Sequence, residues 1–597
     1  MRRPTAHSPV LASGSDAPRG RLQSGTGRSH RAAGSDVLLR ALAIAAAALC
    51  LLPMIAVAIA AFLGTTDTLR HLAETVLWRY TSTTLQLVVL VALGTALLGT
   101  GAAWLVTMTR FPGVRLFEVA LALPLAFPAY VLGYAYTDLL DHPGAVQSAL
   151  REVTGWGPRD YWFPEVRSTT GAAVMLILVL YPYVYLLARA AFLQQSATAF
   201  LAARALGQSA WGAFLRVSLP MARPAIAGGV LLAIMETIAD FGTVSYFGVQ
   251  TFATGIYTSW FGMADRAASA QLALCLLAFA LMLALLERVQ RGAARHHGAG
   301  KRFEVAPPAD LRGWHRWAAV VLCAVPVVLG FLLPVGLLLE MGIGSGQDLT
   351  SDRYLGFLRN SVTLAGTAAV VTVTAAVTLG LYHRLAPGAL SGGAAHVGRI
   401  GYAVPGGVIA VGLLVPFAAF DNAIDRVMEA RFGIDTGLLF TGSIWLLVMA
   451  YMVRFLAAAL NTYDGGLATV HRNTDAVART LGVSTGGLVR RVHLPILRPT
   501  LLTALLIVFV DVMKELPATL IMRPFNFDTL AVQAHRLAAD ERLAGAAVPS
   551  LVIVAVGLLP VILVCRTLGR RSTDIPRATP APVAEMLEDP ASDTRAS

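Results

Sequence analysis

Two pairs of carboxylates stand in stretches of sequence that are otherwise apolar. The first pair is Glu236 and Asp240, four residues apart. The second pair, Asp511 and Glu515, has the same spacing and follows 275 residues later. This spacing predicts that each pair lies on one face of a helix. An ionised side chain in hydrocarbon costs about 2–3 kcal/mol or more, so these groups should face a bundle interior or a water-filled path. They either line a translocation path or form a structural ion-pair network, with Lys514 placed to neutralise Asp511.

The elements that must position these groups are apolar spans. Of the 597 residues, 56% are hydrophobic and 14% are charged, and the mean hydropathy is +0.65. Soluble domains carry about a quarter charged residues, so the composition indicates an integral membrane protein. Runs of about 20 apolar residues span a bilayer. Twelve such runs are present, and proline or charge interrupts the third, ninth and eleventh: 37–63, 83–108, 115–137, 171–193, 223–247, 268–288, 317–340, 361–382, 399–420, 437–457, 500–522 and 545–566.

A polar loop occurs twice between these spans, again 275 residues apart. Within its 21 positions, 11 residues coincide, far above the one or two expected by chance. The composition predicts a short helix, a left-handed glycine cap, and a second short helix that the proline ends. We call each helix–Gly–helix unit an elbow. Its defining residues are Arg204, Leu206, Gly207, Leu219 and Pro220 in the first copy, and Arg479, Leu481, Gly482, Leu494 and Pro495 in the second.

Two interpretations of the elbows are open. Glycine and proline could simply shape a tight connection between two spans. The alternative is that each elbow docks a short helix into a groove on a partner protein. The preservation of both copies, while the flanking spans have diverged, favours docking.

The repeat predicts an all-α membrane protein of about twelve helices in two tandem parallel halves, because six spans separate the copies. Basic residues concentrate in both tails and in the mid-chain connector, which the positive-inside rule places in the cytoplasm together with both elbows. This topology accounts for the net charge of +12 without nucleic-acid binding. The predicted segments are a disordered cytoplasmic tail (1–36), a leading helix with a periplasmic segment (37–79), a first core (80–290), a basic connector (291–316), a second leading helix and periplasmic segment (317–357), a second core (358–568) and a second disordered tail (569–597).

The paired loops resemble the EAA loop of ABC importer permeases with the MetI-like fold, in the type that fuses both permease domains on one chain. The resemblance covers roughly 80–290 and 358–568. It implies a bacterial inner-membrane protein in contact with lipid, whose elbows couple to two copies of a cytoplasmic ATPase. It also implies a periplasmic or lipid-anchored substrate-binding protein that docks on faces such as 138–170 and 249–266.

One departure from the family pattern concerns the elbows. The family usually has an acidic residue six positions before the loop glycine, where this chain has Leu201 and Ala476. Asp475 is displaced by one position. The ion pair that this acid normally makes is therefore not predicted here, although the shape of the elbow should persist.

The segment from Asp240 to Tyr257 resembles the ferric-iron branch of this family, as do Lys514 to Leu520 and Arg523 to Leu530. The resemblance implies import of Fe³⁺. Hard cations prefer carboxylate oxygen, which is compatible with iron but also with polyamine or thiamine cargo, and the metal could cross as a chelate. A group of aromatic residues nearby is either part of this function or an interfacial belt: Tyr246, Phe247, Tyr257, Trp260 and Phe261.

Two other classes of protein compete with the importer. A twelve-span secondary transporter would leave both elbows unexplained. A membrane-embedded enzyme lacks a nucleophile–base pair or metal-spaced histidines in the sequence. The two lysines, Lys301 and Lys514, stand outside any phosphate-binding loop, so we expect ATP on a separate subunit and no cofactor, catalytic residue or established metal site on this chain.

Overall fold

The computed structural model describes residues 26–64, 66–195, 197–294, 309–481 and 483–573. Within these ranges the chain is helical except for loops and one short ladder, in which β1 (Thr109–Arg110) pairs in parallel with β2 (Ala309–Asp310). The predicted all-α class is therefore confirmed. Most of the predicted tails and of the basic connector lies outside the described residues.

The first half contains thirteen helices and three short 3-10 or π segments. They are α1 (Thr26–Leu63), α2 (Thr66–Thr75), α3 (Leu77–Met108), α4 (Val114–Ala120), a 3-10 turn (Leu123–Ala126), α5 (Ala129–Leu140), α6 (Ala145–Thr154), α7 (Thr169–Gln194), α8 (Ala197–Ala205), α9 (Ala210–Ala213), a π segment (Phe214–Ser218), α10 (Leu219–Ala239), α11 (Gly242–Tyr246), α12 (Phe252–Tyr257), a π segment (Thr258–Gly262) and α13 (Arg266–Ala294).

The second half repeats this order after β2. Its elements are α14 (Trp314–Val327), a π segment (Val328–Leu332), α15 (Leu333–Gly344), α16 (Asp352–Leu385), α17 (Ala389–Ile400), a 3-10 turn (Gly401–Ala403), α18 (Gly406–Phe432), α19 (Ile444–Leu467), α20 (Arg472–Thr480), α21 (Thr485–Leu488), a π segment (Val489–His493), α22 (Leu494–Met513), α23 (Pro517–Met522), α24 (Leu530–Ala539) and α25 (Leu543–Thr573).

The number of spans agrees with the prediction. Eleven described helices are long and apolar enough to cross a membrane, and a bent pair makes twelve if it counts as one span. The bent pair joins Val114–Ala126 to Ala129–Thr154 at 92° and corresponds to the third predicted run. Its break falls before Pro128, because the residue preceding a proline is pushed into extended conformation, as Phe127 is with ψ 134°.

Several boundaries differ from the prediction, and three of them bear on the tails or on the site. α1 begins at Thr26, so residues 26–36 are helical and not part of a disordered tail. Alanine and arginine favour helix there, and a membrane-spanning helix can continue beyond the bilayer. α10 ends at Ala239 and α22 at Met513, well before the predicted ends at 247 and 522. Both early ends fall next to a carboxylate, and their cause is described with the site.

Each leading helix packs against the opposite half. α1 contacts α16, α17 and α18 as well as α13 of its own half. In the second half, α14 contacts α3 and α4, and α15 contacts α5 and α25. The main apolar cluster also runs through both halves, with buried side chains such as Leu176 and Leu456. The halves therefore form one bundle with a cavity at their junction, as a parallel repeat about an axis along the membrane normal predicts.

Candidate functional site

The first elbow turns at Gly207, as predicted. Its φ of +84° lies in the left-handed region, which glycine occupies without the steric penalty of a Cβ atom. The Gln208 N–H donates to Ala203 O at 3.1 Å and the Gly207 N–H to Arg204 O at 3.0 Å, the bond pair that closes a helix at a left-handed glycine. Arg204 Nη1 also donates to Gln208 O at 2.8 Å. The side chain of Arg204 therefore stabilises the turn in addition to the two backbone hydrogen bonds.

The second elbow has the same turn in its described residues. The Val483 N–H donates to Ala478 O at 3.0 Å, across the same five-residue step as in the first copy. The Leu481 N–H donates to Val477 O at 3.1 Å. Gly482 and the side chain of Arg479 lie outside the described residues.

A serine starts the second helix of each elbow. The Gly212 N–H donates to Ser209 Oγ at 3.0 Å, and the Gly487 N–H donates to Ser484 Oγ at 3.3 Å. Serine at this position satisfies a backbone donor that the first turn of a helix leaves free. The sequence repeat had already paired these serines, and the structure gives them the same bond.

The prolines do not end the elbow helices, so that prediction was wrong. Pro220 and Pro495 are the second residues of α10 and α22, which continue from α9 and α21 through π segments. In these wider turns the Leu219 N–H bonds to the carbonyl five residues back, and the Leu494 N–H does the same. The wider turn accommodates a proline ring and its missing N–H, which an α turn would not. Each elbow is consequently joined rigidly to the span that follows it.

Each elbow carries an exposed leucine at its tip. Leu206 is 84% exposed and Leu481, at the matching position, is 77% exposed. An isolated exposed leucine is ordinary, but the same exposure at both copies of a repeated turn is not explained by packing within the chain. The two tips are the matched apolar groups that docking to a two-fold partner would use.

The second elbow is anchored by charge. Asp475 accepts hydrogen bonds from Arg384 Nε through Oδ2 and from His493 Nε2 through Oδ1, the latter at 2.7 Å. Arg384 also donates to the carbonyls of Leu467 and Val470, each at 2.9 Å. Burial raises the pKa of Asp475, but the hydrogen bonds and charges of His493 and Arg384 outweigh it and hold the pKa below its usual value. The ion pair left unpredicted in this elbow does form, with Arg384 of α16 and with His493 at the end of the π segment.

The first elbow is anchored by aromatic rings. Phe200 occupies the position that matches Asp475, and its ring lies 5.9 Å from that of Trp104. Trp104 also contacts Phe214 at 4.3 Å and Phe192 at 5.7 Å, measured between ring centroids. These side chains belong to a buried apolar cluster at the base of the elbow. Leu201, where the family usually has its acid, is exposed instead.

All four predicted carboxylates line one cavity of about 140 Å³ between the halves. Glu236 Oε1 accepts a hydrogen bond from Tyr402 Oη at 2.9 Å, across the junction of the halves. Asp511 Oδ1 pairs with Lys514 Nζ at 3.0 Å, as the sequence spacing suggested. Carboxylates from both halves thus meet in one cavity.

The expected arrangement of each pair on one helix face is wrong. Asp240 follows the end of α10 and accepts from the Thr243 N–H at 2.9 Å and the Thr243 hydroxyl at 2.8 Å. Glu515 follows α22 and accepts from the Ala518 N–H at 3.0 Å and the Thr519 hydroxyl at 2.9 Å. Both carboxylates therefore bind the free N–H groups that open α11 and α23, which is why the spans end early. Asp240 and Glu515 thus cap the next short helices and also line the cavity, while Glu236 and Asp511 remain within α10 and α22.

Three tyrosines and an arginine complete the cavity, and the sequence analysis did not assign them to it. They are Tyr130, Tyr183, Tyr402 and Arg454. The tyrosines lie far from the carboxylates in sequence and carry no local signal. Arg454 did carry one, since a lone arginine inside an apolar run is expensive and usually functional. With Lys514, the lining has four carboxylates and two basic groups, a formal excess of two negative charges.

A second chamber of about 440 Å³ opens on the elbow side of this cavity. The two spaces share Tyr183, Tyr402, Asp511 and Lys514 in their walls. Arg399 lines the second chamber and pairs with Asp464. The shared residues make the two chambers adjacent.

The aromatic group near the carboxylates ranges from buried to half exposed. Phe247 is buried, and Tyr246 makes an edge contact with Tyr134 at 4.6 Å. Tyr257 packs on Phe241 at 4.6 Å. Phe261 is half exposed.

The described ranges contain no group of three or more His, Cys, Asp or Glu side chains arranged to hold a metal ion. Cys50, Cys275 and Cys323 are free thiols within them. The side chain of Cys565 lies outside.

Two fused halves, a matched pair of elbows and a charged cavity at the junction define a membrane transport subunit. The chain belongs to the family of binding-protein-dependent transport system inner membrane components, whose model matches residues 96–295 and 373–574. It is therefore the permease subunit of an ABC importer and not an enzyme. This excludes the secondary-transporter and embedded-enzyme alternatives, and membership of the family implies an ATPase and a substrate-binding protein as partners.

Two relatives that match most of the chain have names that refer to iron. The Fe(3+)-transport system permease protein FbpB 2 of Haemophilus influenzae is 26% identical, over 81% of this chain and 88% of its own length. The ferric transport system permease protein FbpB of Actinobacillus pleuropneumoniae is 22% identical, over 72% of this chain and 61% of its own. The molybdenum transport system permease protein ModB of Escherichia coli is 28% identical but matches 31% of this chain.

Proposed function

We propose that this permease moves ferric iron, delivered by a periplasmic or lipid-anchored binding protein, across the inner membrane. The observation that carries the proposal is the cavity between the halves, with its four carboxylates and its excess of negative charge. Carboxylate and phenol oxygens suit a hard cation better than an oxyanion. The ferric names of relatives that match most of the chain support the same cargo.

The proposed orientation puts the elbows, both termini and the connector in the cytoplasm. The basic residues of the tails and the connector support this by the positive-inside rule. Two ATPase copies then meet the exposed tips at Leu206 and Leu481. ATP is bound and hydrolysed on those ATPase subunits, so this chain needs no cofactor. Nucleic acid has no part in this scheme.

The rigid connection between each elbow and the next span gives the proposed coupling a physical route. α10 and α22 continue directly from the elbows and carry Glu236 and Asp511 into the cavity. Movement of the elbows toward one another would therefore shift both carboxylates together. The Glu236–Tyr402 bond crosses the junction of the halves, so it should break or form as the cavity changes its access.

The test is ATP-driven ⁵⁵Fe uptake into proteoliposomes that contain the full chain, its neighbouring ATPase and a ferric-loaded binding protein. Glu236→Gln keeps an acceptor for Tyr402 but removes the charge. We expect its uptake to fall on the order of tenfold, since a contact with a charged group contributes about 1.5–3 kcal/mol. Glu74→Gln, which alters an exposed ion pair with Arg70, is the matched control and should leave uptake unchanged.

Two results would count against the proposal, the first against the iron cargo and the second against the charged cavity as its path. One is ATPase stimulation by polyamine- or thiamine-loaded binding proteins with none by the ferric form. The other is an unchanged ⁵⁵Fe uptake in Glu236→Gln. Either would leave the chain an importer permease with a different cargo or a different path.

A further inference from the structure

Arg454 makes the cavity chemically asymmetric. It lies in α19, and the matching position of α7 in the first half is Val179. Repetition of the fold therefore does not require a cation here. An arginine inside a span that has no counterpart at the matching position of the other half is a candidate for ligand binding.

Two carboxylates that line the cavity together with Arg454 are already engaged by other groups. Glu515 accepts from the backbone of Ala518 and from both donors of Thr519. Asp511 is paired with Lys514. In the described part of the chain, Arg454 Nη1 is buried and has no hydrogen-bond partner. A buried charged donor left without an acceptor costs stability, so its retention requires a compensating role.

Gly406 lets this donor approach the backbone of α18. A Cβ atom at position 406 would come within 2.7 Å of Glu515 Oε1 and 2.9 Å of Arg454 Nη1, so a larger residue would displace one of these two groups. Arg454 also lines the cavity between the halves. A planar guanidinium on a cavity wall matches the oxygens of a carboxylate, carbonate or phosphate.

We propose that Arg454 binds a small anionic oxygen ligand that remains on the ferric ion, so that the cargo crosses as an ion–anion complex and not as a bare ion. The inference rests on the proposed function. Ferric iron is a hard acid that holds anionic oxygen donors, and the complex with one mono- or dianion keeps a net positive charge. Such a complex matches both the negative excess of the cavity and its unpartnered cation.

The experiment measures two labels in the same proteoliposomes. Uptake of ⁵⁵Fe is followed together with [¹⁴C]oxalate, [³²P]phosphate or [¹⁴C]bicarbonate, one anion at a time, during delivery by the ferric-loaded binding protein. We expect one of these anions to enter with iron at a ratio of about one to one under full-chain, ATP-driven conditions. Iron that enters without any of the three labels overturns the inference and leaves the ferric function standing. No ATP-driven iron uptake in the wild type defeats the proposed function itself.

Two variants separate ligand binding from a structural role. Arg454→Met should reduce uptake of iron and of its anion roughly tenfold, the scale of one hydrogen bond to a charged group. Arg454→Lys keeps the positive charge but loses the planar pair of N–H donors, and this variant should transport iron with less than one anion per ferric ion. Arg70→Gln, on the exposed helix α2, is the control for loss of an arginine. If Arg454→Lys transports both labels in the wild-type ratio and Arg454→Met does so too, Arg454 does not bind the anion.

Discussion

The two elbows have one shape and two different anchors. Both use a serine cap, a backbone hydrogen bond across five residues at the turn, and a π segment that leads into the next span. Below the turn, the first elbow rests on Trp104 and its neighbouring rings, whereas the second holds Asp475 between Arg384 and His493. Phe200 and Asp475 occupy the same register, so the contrast is a direct exchange of an apolar contact for an ionic one.

This difference separates what the elbow must do from how it is held. The repeated residues fix the turn, and the turn presents the tip leucine. The anchor only has to join the first short helix to the base of the bundle, and either dispersion and burial or a partly buried ion pair can do that. The acid that the family usually carries is therefore one solution among several, and the first half has replaced it.

The largest expected effect comes from removing the apolar anchor. Trp104→Ala deletes the ring that touches three phenylalanines, and large-to-small changes of this kind cost about 3–5 kcal/mol. We expect faster amide exchange in residues 200–218 with little change in 473–493. Hydrogen-exchange mass spectrometry of the purified chain measures both regions at once. Trp78→Ala, at a largely exposed tryptophan, is the control, and equal loosening of both elbows by Trp104→Ala would contradict separate anchors.

The ionic anchor should show the reverse pattern with a smaller effect. Asp475→Asn leaves Arg384 and His493 without their carboxylate, and we expect a cost of about 2–3 kcal/mol from lost charged hydrogen bonds. Exchange should accelerate in residues 473–493 and stay unchanged in 200–218. Asp540→Asn, at an exposed aspartate, controls for the chemical change. Protection equal to the wild type in the second elbow would mean that Asp475 is not the anchor.

Acid should distinguish the elbows in the unmodified chain. His493 and Arg384 lower the pKa of Asp475 in the folded state, so its contribution is complete above the unfolded pKa and is lost as the pH falls through the lower folded value. The second elbow should therefore begin to lose the stabilisation that Asp475 contributes below about pH 4. After correction for intrinsic exchange rates, the second elbow should loosen there more than the first. This greater loosening of the second elbow at low pH should vanish in Asp475→Asn. If it persists in that variant, another group causes the effect.

The sequence predicted the repeat, the spans and the glycine turn because each depends on local pattern. It failed at Pro220, since a π segment that absorbs a proline has no signature in hydrophobic periodicity. It also failed for Asp240 and Glu515, which were assigned to helix faces although each caps the next short helix. Tyr402 could not be predicted as a site residue, because it lies 166 residues from Glu236 in sequence and contacts it only through the packing of the two halves. Asp475 was noticed, but its partner Arg384 is 91 residues away.

The smallest net effect is expected when one anchor is converted into the other. A variant that combines Arg384→Leu, Asp475→Phe and His493→Ser gives the second elbow an apolar contact in place of its ion pair. Replacing a buried ion pair with apolar groups is often neutral or stabilising, so the combined change should stay within about 1 kcal/mol of the wild type, well short of the loss in Asp475→Asn. Thermal unfolding and exchange of residues 473–493 are the measurements. Stability no better than that of Asp475→Asn would show that the ion pair does more than hold the helix, and that the two anchors are not interchangeable.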